Sequence, residues 1–128
     1  MAKLEQVLNG DFGQILKTIE NGILNGSMSA SLEDLSDMFD GDARCSVRVF
    51  ERYSYAGGNR VIMNVTLFQN AIGPIYLSAI TSGGSQAMLF KMNTLGEEAF
   101  LDKLRELLWL DLWRSFYGID DEVYNFFQ

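Results

Sequence analysis

Two stretches with helical apolar spacing bracket a series of short stretches in which apolar and polar residues alternate, and this order constrains the fold more than any other feature of the chain. Successive side chains leave a strand on opposite faces, so strict alternation predicts a strand with one buried side. Met28, Ala30 and Leu32 alternate with Ser27, Ser29 and Ser31. Cys45, Val47 and Val49 alternate with Arg44, Ser46, Arg48, Phe50 and Arg52, and the apolar trio reads as the core face. Val61, Met63, Val65 and Leu67 alternate with Ile62, Asn64, Thr66 and Phe68. Ile75, Leu77 and Ala79 mark a further strand, and residues 87–92 a last one. Turn-forming residues separate them: Asp40-Gly41-Asp42, Ala56-Gly57-Gly58-Asn59, Gly73-Pro74 and Thr81-Ser82-Gly83-Gly84-Ser85.

The flanking stretches carry helix start signals. Asp11 is placed to cap a helix, with Gln14 as the far member of a capping box, and Phe12, Ile15, Leu16, Ile19 and Ile23 form one apolar stripe ending at Asn25-Gly26. Thr94 and Glu97 form the corresponding pair before Phe100, Leu101, Leu104, Leu107 and Leu108, with Gly118 as the stop. Residues 2–8 suit either a short helical face or a strand that ends at Asn9-Gly10. Consecutive hairpin-linked strands imply antiparallel pairing, so the expected fold class is α+β. It comprises one antiparallel sheet of five to six strands, with helices at 11–25 and about 95–117 packed on one face. The element order is similar to the helix-grip arrangement, in which a curved antiparallel sheet wraps a long C-terminal helix. One domain spanning 1–128 is expected, with an aromatic C-terminal extension over 109–128.

Composition narrows the function classes. The chain has 128 residues, 48% apolar and 21% charged, which is ordinary for a globular domain. A formal charge of −7 disfavours nucleic acid, whose binders need a basic face to displace counterions. No run approaches the roughly 18 apolar residues of a spanning helix, and no apolar h-region follows Met1-Ala2-Lys3-Leu4-Glu5, so neither membrane insertion nor a signal peptide is expected. A lone cysteine, Cys45, forms no intrachain disulfide and fits a cytoplasmic setting. The sequon Asn64-Val65-Thr66 falls in an expected strand and reads as coincidence. The chain has no histidine, which removes the usual base for serine or cysteine catalysis; no catalytic residue, metal or cofactor is expected.

Three stretches together carry a resemblance. They are Glu51-Arg52-Tyr53-Ser54 with Gly57-Gly58-Asn59-Arg60, then Ser78-Ala79-Ile80-Thr81-Ser82-Gly83-Gly84-Ser85-Gln86, then Gly96-Glu97-Glu98-Ala99-Phe100-Leu101. In that order they resemble a family of small bacterial proteins of unknown function, found mainly in the Firmicutes. The resemblance covers roughly residues 1–108 and implies no activity and no catalytic residues.

Several features are candidate sites. Thr81, Ser82, Gly83, Gly84 and Ser85 offer backbone N–H groups and hydroxyls for an anion, or simply turn a hairpin. Arg44, Arg48 and Arg52 project from one strand face, where they could hold a carboxylate or phosphate with help from Arg60. Pairing with Glu33, Asp34 or Asp37 is the competing role. The acidic stretch from Glu33 to Asp42 fails as a calcium loop, because Met38 and Val47 would fall where oxygen ligands belong, and it reads as a solvated loop. Cys45 reads as core, and Glu97 as a cap. Trp109, Trp113, Phe116 and Tyr117 leave the last helix with little polar face, so they pack either within the chain or against a second subunit.

The expected function is a non-enzymatic cytosolic binding or interaction module that self-associates through the aromatic C-terminus. The alternative is a small-ligand protein with a pocket between the sheet and the last helix, lined by Met63, Met88 and Phe90. The partners to expect are a second copy of the chain and a small anionic or apolar ligand.

Overall fold

A computed structural model describes residues 1–26, 29–54, 59–83 and 90–117. Its elements are β1 (Ala2–Leu8), α1 (Phe12–Asn25), β2 (Ser31–Asp40), β3 (Ala43–Ser54), β4 (Asn59–Asn70), β5 (Ile75–Gly83) and α2 (Phe90–Tyr117). The strands form one antiparallel sheet in the order β1-β5-β4-β3-β2, and the fold class is α+β. Residues 2–8 are a strand, because seven residues are too few for a stable isolated helix while the free edge of β5 supplies hydrogen-bond partners from Ile75 to Thr81. No helix among the described residues is long and apolar enough to cross a membrane.

Local signals set α1. The Asp11 carboxylate accepts a hydrogen bond from the Gln14 N–H at 2.8 Å, and the stripe Phe12, Ile15, Leu16, Ile19 and Ile23 is buried. The two helices run antiparallel: Thr18 donates to Asp111 at 3.2 Å, and one turn further along α1 Gly22 meets Leu107, one turn back along α2. At Gly22 a Cβ would run into the side chain of buried Leu107, so the close approach of α1 to α2 favours glycine there. Between helices and sheet lies one core, with Phe50, Val61, Met63, Val65, Leu67, Ile75, Leu77 and Ala79 meeting Ile15, Ile19, Phe100, Leu101, Leu104 and Leu107. Burying a single such side chain contributes roughly 1.5–3 kcal/mol.

The structure corrects four expectations. First, β3 faces the other way. Phe50, Arg48 and Ser46 are buried on the helix side, while Cys45, Val47 and Val49 lie half-buried on the open face. Register decides this, because Met63 opposes Phe50, Val65 opposes Arg48 and Leu67 opposes Ser46, and directly opposed residues share a face. Second, the acidic stretch is a strand rather than a loop: β2 occupies Ser31–Asp40, pairs with β3 and is exposed along Glu33–Asp40, while residues 27 and 28 lie outside the described residues. Charge suits such a position, since it blunts an edge that would otherwise recruit further strands.

Third, Thr81, Ser82 and Gly83 belong to β5 and not to a turn. Thr81 is buried and donates its hydroxyl to the carbonyl of Ala2 at 3.3 Å. Gly83 has φ +150° and a Cβ there would sit 2.5 Å from the Arg60 carbonyl oxygen, so its glycine serves close strand approach. Fourth, residues 90–92, expected in a last strand, open α2, which places Thr94 inside the helix instead of at its cap. Gly84 and Ser85, residues 55–58 of the expected hairpin loop, and everything from residue 118 onward lie outside the described residues.

Candidate functional site

The arginine row exists, but each member is already engaged. Arg44, Arg48 and Arg52 share the helix side of β3, successive members about 13 Å apart at strand spacing. Arg48 is held most completely. Its Nε donates to Glu20 at 2.6 Å, and its Nη1 and Nη2 donate to the two carboxylate oxygens of Asp37 at 3.0 and 3.3 Å. The Val47 carbonyl accepts a further bond at 3.0 Å. Burial opposes the charge on Arg48, but the hydrogen bonds to Asp37 and Glu20 outweigh it and raise its pKa. The same bond from Arg48, followed by one from Ser46 at 2.6 Å, lowers the pKa of Asp37.

The other arginines stack. Arg44 lies 3.9 Å from the centre of the Phe12 ring and 5.4 Å from that of Phe39. Arg52 sits 4.5 Å over Phe100, and burial lowers its pKa. Both arrangements are cation–π contacts with partly desolvated guanidinium groups. Arg60 does not join them. It opposes Tyr53 on the open face and pairs with Glu51 at 3.0 Å. Of the acids weighed as partners Asp37 is used, while Glu20 has no signal in the sequence beyond lying one position past the apolar Ile19. Glu97, expected at a helix cap, is instead a buried carboxylate within α2: it is 4% exposed and lies 3.0 Å from the N-terminal ammonium of Met1.

A groove of about 500 Å³ opens between β1, the first turn of α1 and the second half of α2. Leu4, Val7, Leu8 and Ile15 line it from β1 and α1, and Leu108, Trp109 and Leu112 from α2. Gln6, Asn9, Arg105 and Asp111 supply its polar groups. Helical spacing puts Leu108 and Leu112 on one side of α2, with Trp109 beside them. Trp109 is 61% and Leu112 64% exposed. Arg105 is paired to Asp102 and Glu98 along α2, and Asp111 to Thr18.

This groove differs from the expected pocket. Met63 is fully buried in the core, Met88 is outside the described residues, and of Phe90 only the helical backbone is described. Of the four expected interface residues, Trp109 stands at the groove and Trp113 is half-buried. Phe116 and Tyr117 are described only as helical backbone. Among the described residues there is no cluster of three or more His, Cys, Asp or Glu side chains able to hold a metal ion.

No curated protein and no solved structure matches the chain. Residues 1–109 do match a family model, which takes in the whole sheet, α1 and α2 as far as Trp109. The chain therefore belongs to the family of unknown function DUF6054.

Proposed function

We propose that the chain is a non-enzymatic binding module that takes a small amphipathic molecule into the groove between β1 and α2. The carrying observation is the groove itself: about 500 Å³, lined by apolar side chains from three elements together with Gln6, Asn9, Arg105 and Asp111. That volume falls in the roughly 300–1,000 Å³ range of ligand sites, and such a lining holds an apolar body while its few polar groups orient a polar end. A cytosolic setting goes with this reading, given a lone cysteine, as does the absence of nucleic-acid partners, given a charge of −7.

Trp109 provides the test. In a Trp113→Phe background its fluorescence reports the groove, and titration with anilinonaphthalene sulfonate or decanoate is expected to saturate at one site. Leu112→Glu is expected to weaken that binding at least about tenfold. Non-saturable titration, or equal binding in the Leu112→Glu variant, refutes the proposal. Self-association through the aromatic C-terminal segment is the second reading, favoured by the exposure of Trp109 and Leu112. It predicts that deleting residues 109–128 turns an oligomer into a monomer, as light scattering would register.

A further inference from the structure

The face of the sheet away from the helices is organised in rows that run across all five strands. Val7, Tyr76, Phe68, Cys45 and Met38 oppose one another in unbroken register from β1 to β2. The next row is Glu5, Ser78, Thr66, Val47 and Ser36, and the third is Lys3, Ile80, Asn64, Val49 and Asp34. In these rows the three inner strands carry no charged residue, in a chain that is 21% charged. Within these rows charge appears only on the edge strands; beyond them Arg60 and Glu51 pair on the same face. Val7, Tyr76, Phe68 and Met38 are each 40–57% exposed, with the Phe68 and Tyr76 ring centres 6.5 Å apart. An uncharged, aromatic-bearing centre with a charged rim is how protein interfaces are built.

From this pattern we infer that the open face is a homodimer interface in which two copies pack sheet on sheet about a two-fold axis parallel to β4. The rows select both the partner and the axis. A two-fold along β4 lays β1 of one copy over β2 of the other and sets each row upon itself. Phe68 then meets Phe68 near the axis, Val7 meets Met38, and Lys3 meets Asp34 of the second copy, twice by symmetry. A two-fold across the strands would instead set Val7 against Lys3 and Met38 against Asp34. The aligned arrangement is also the ordinary packing of twisted sheets, about 10 Å apart. Five strands and three rows cover about 24 by 20 Å, roughly 500 Å² in projection and more as accessible surface. That approaches the roughly 600–1,000 Å² each partner contributes to a standard interface.

Sedimentation velocity of the full chain over a concentration series tests this. The wild type is expected to dimerise, and Phe68→Lys to be monomeric with an unchanged circular dichroism spectrum and a melting temperature equal to that of the wild type at dilutions where it too is monomeric. Lys3→Asp is expected to weaken the dimer about fivefold, as two lost rim pairs would. Adding Asp34→Lys to it is expected to restore wild-type affinity; both positions are exposed, and the melting temperature of each variant as a monomer accounts for the lost Lys3–Glu5 pair and the lost bond from the Leu35 N–H to Asp34. A wild type that stays monomeric at every concentration overturns the inference, and so would cover the case in which residues 118–128 occupy the face in the same chain. A dimer that survives Phe68→Lys but is lost in Leu112→Glu also overturns it, placing the contact on α2. Failure of the charge exchange to restore affinity overturns the axis.

Discussion

On β4 the helix-side residues Val61, Met63, Val65 and Leu67 are at most 2% exposed, whereas Ile62 and Phe68 on the other side are about 40% exposed. The same strand thus carries large apolar residues on both faces, and among the described residues only one face has helices over it. On β3 the contrast runs against polarity. Arginines and a serine occupy the covered side beside Phe50, and Cys45, Val47 and Val49 occupy the uncovered one. Hydrophobicity alone therefore does not say which way a strand faces. What a covered position requires is satisfied contacts, and a guanidinium can meet that requirement with two carboxylates or an aromatic ring.

Replacing one phenylalanine on each face gives the sharpest test of that contrast. Phe50→Ala, at 0% exposure, is expected to cost about 3–5 kcal/mol of stability in urea denaturation. Phe68→Ala, measured where the chain is monomeric, is expected to cost under about 1 kcal/mol. Equal costs would erase the distinction between the faces. The arginines extend it. Arg48→Ala leaves Glu20 and Asp37 without their cation and is expected to cost about 3 kcal/mol, whereas Arg60→Ala on the open face is expected to cost under about 0.5 kcal/mol.

The helix pair allows a smaller perturbation. Gly22→Ala pushes a Cβ into Leu107, and overpacking of about 1–3 kcal/mol outweighs the roughly 1 kcal/mol gained in helix propensity. A net loss is expected in thermal unfolding, and a gain would show that α1 can shift away from α2.

Acid titration gives the smallest effect. The Asp37 carboxyl is held below its ordinary value by hydrogen bonds from Arg48 and Ser46. The unfolded chain therefore takes up that proton first as pH falls. The stabilisation is fully present above the unfolded value of about 3.9 and is lost as pH drops through the lower folded value. Asp37→Asn is expected to flatten the part of the melting-temperature decline below about pH 4 that this group causes. An identical decline in wild type and variant would show that the pairing does not persist in solution.

Much of the fold was legible in the residues. Asp11 and Gln14 mark the start of α1, the Val61–Leu67 alternation gives the phase of β4, and Leu101, Leu104 and Leu108 give the buried stripe of α2. The site was less legible. The groove needs Leu4 and Leu8, over a hundred positions away from Trp109 and Leu112, and no local pattern ties them. Arg48 shows how far pairing reaches beyond local sequence: its donors meet Asp37, one of the acids expected, and Glu20, 28 positions away on α1. The open-face rows depend on register, and register is a property of paired strands.

Caps, turns and periodicity act within a few residues of themselves, so the amino-acid order alone determined the position of α1, the buried stripe of α2, the antiparallel pairing of neighbouring strands and the α+β class. The orientation of β3, the burial of Arg48 and Glu97, and the preference for glycine at Gly22 were decided only in three dimensions. Each depends on what stands opposite, and the energy of a buried charge or a close backbone contact is set by partners the local sequence does not contain.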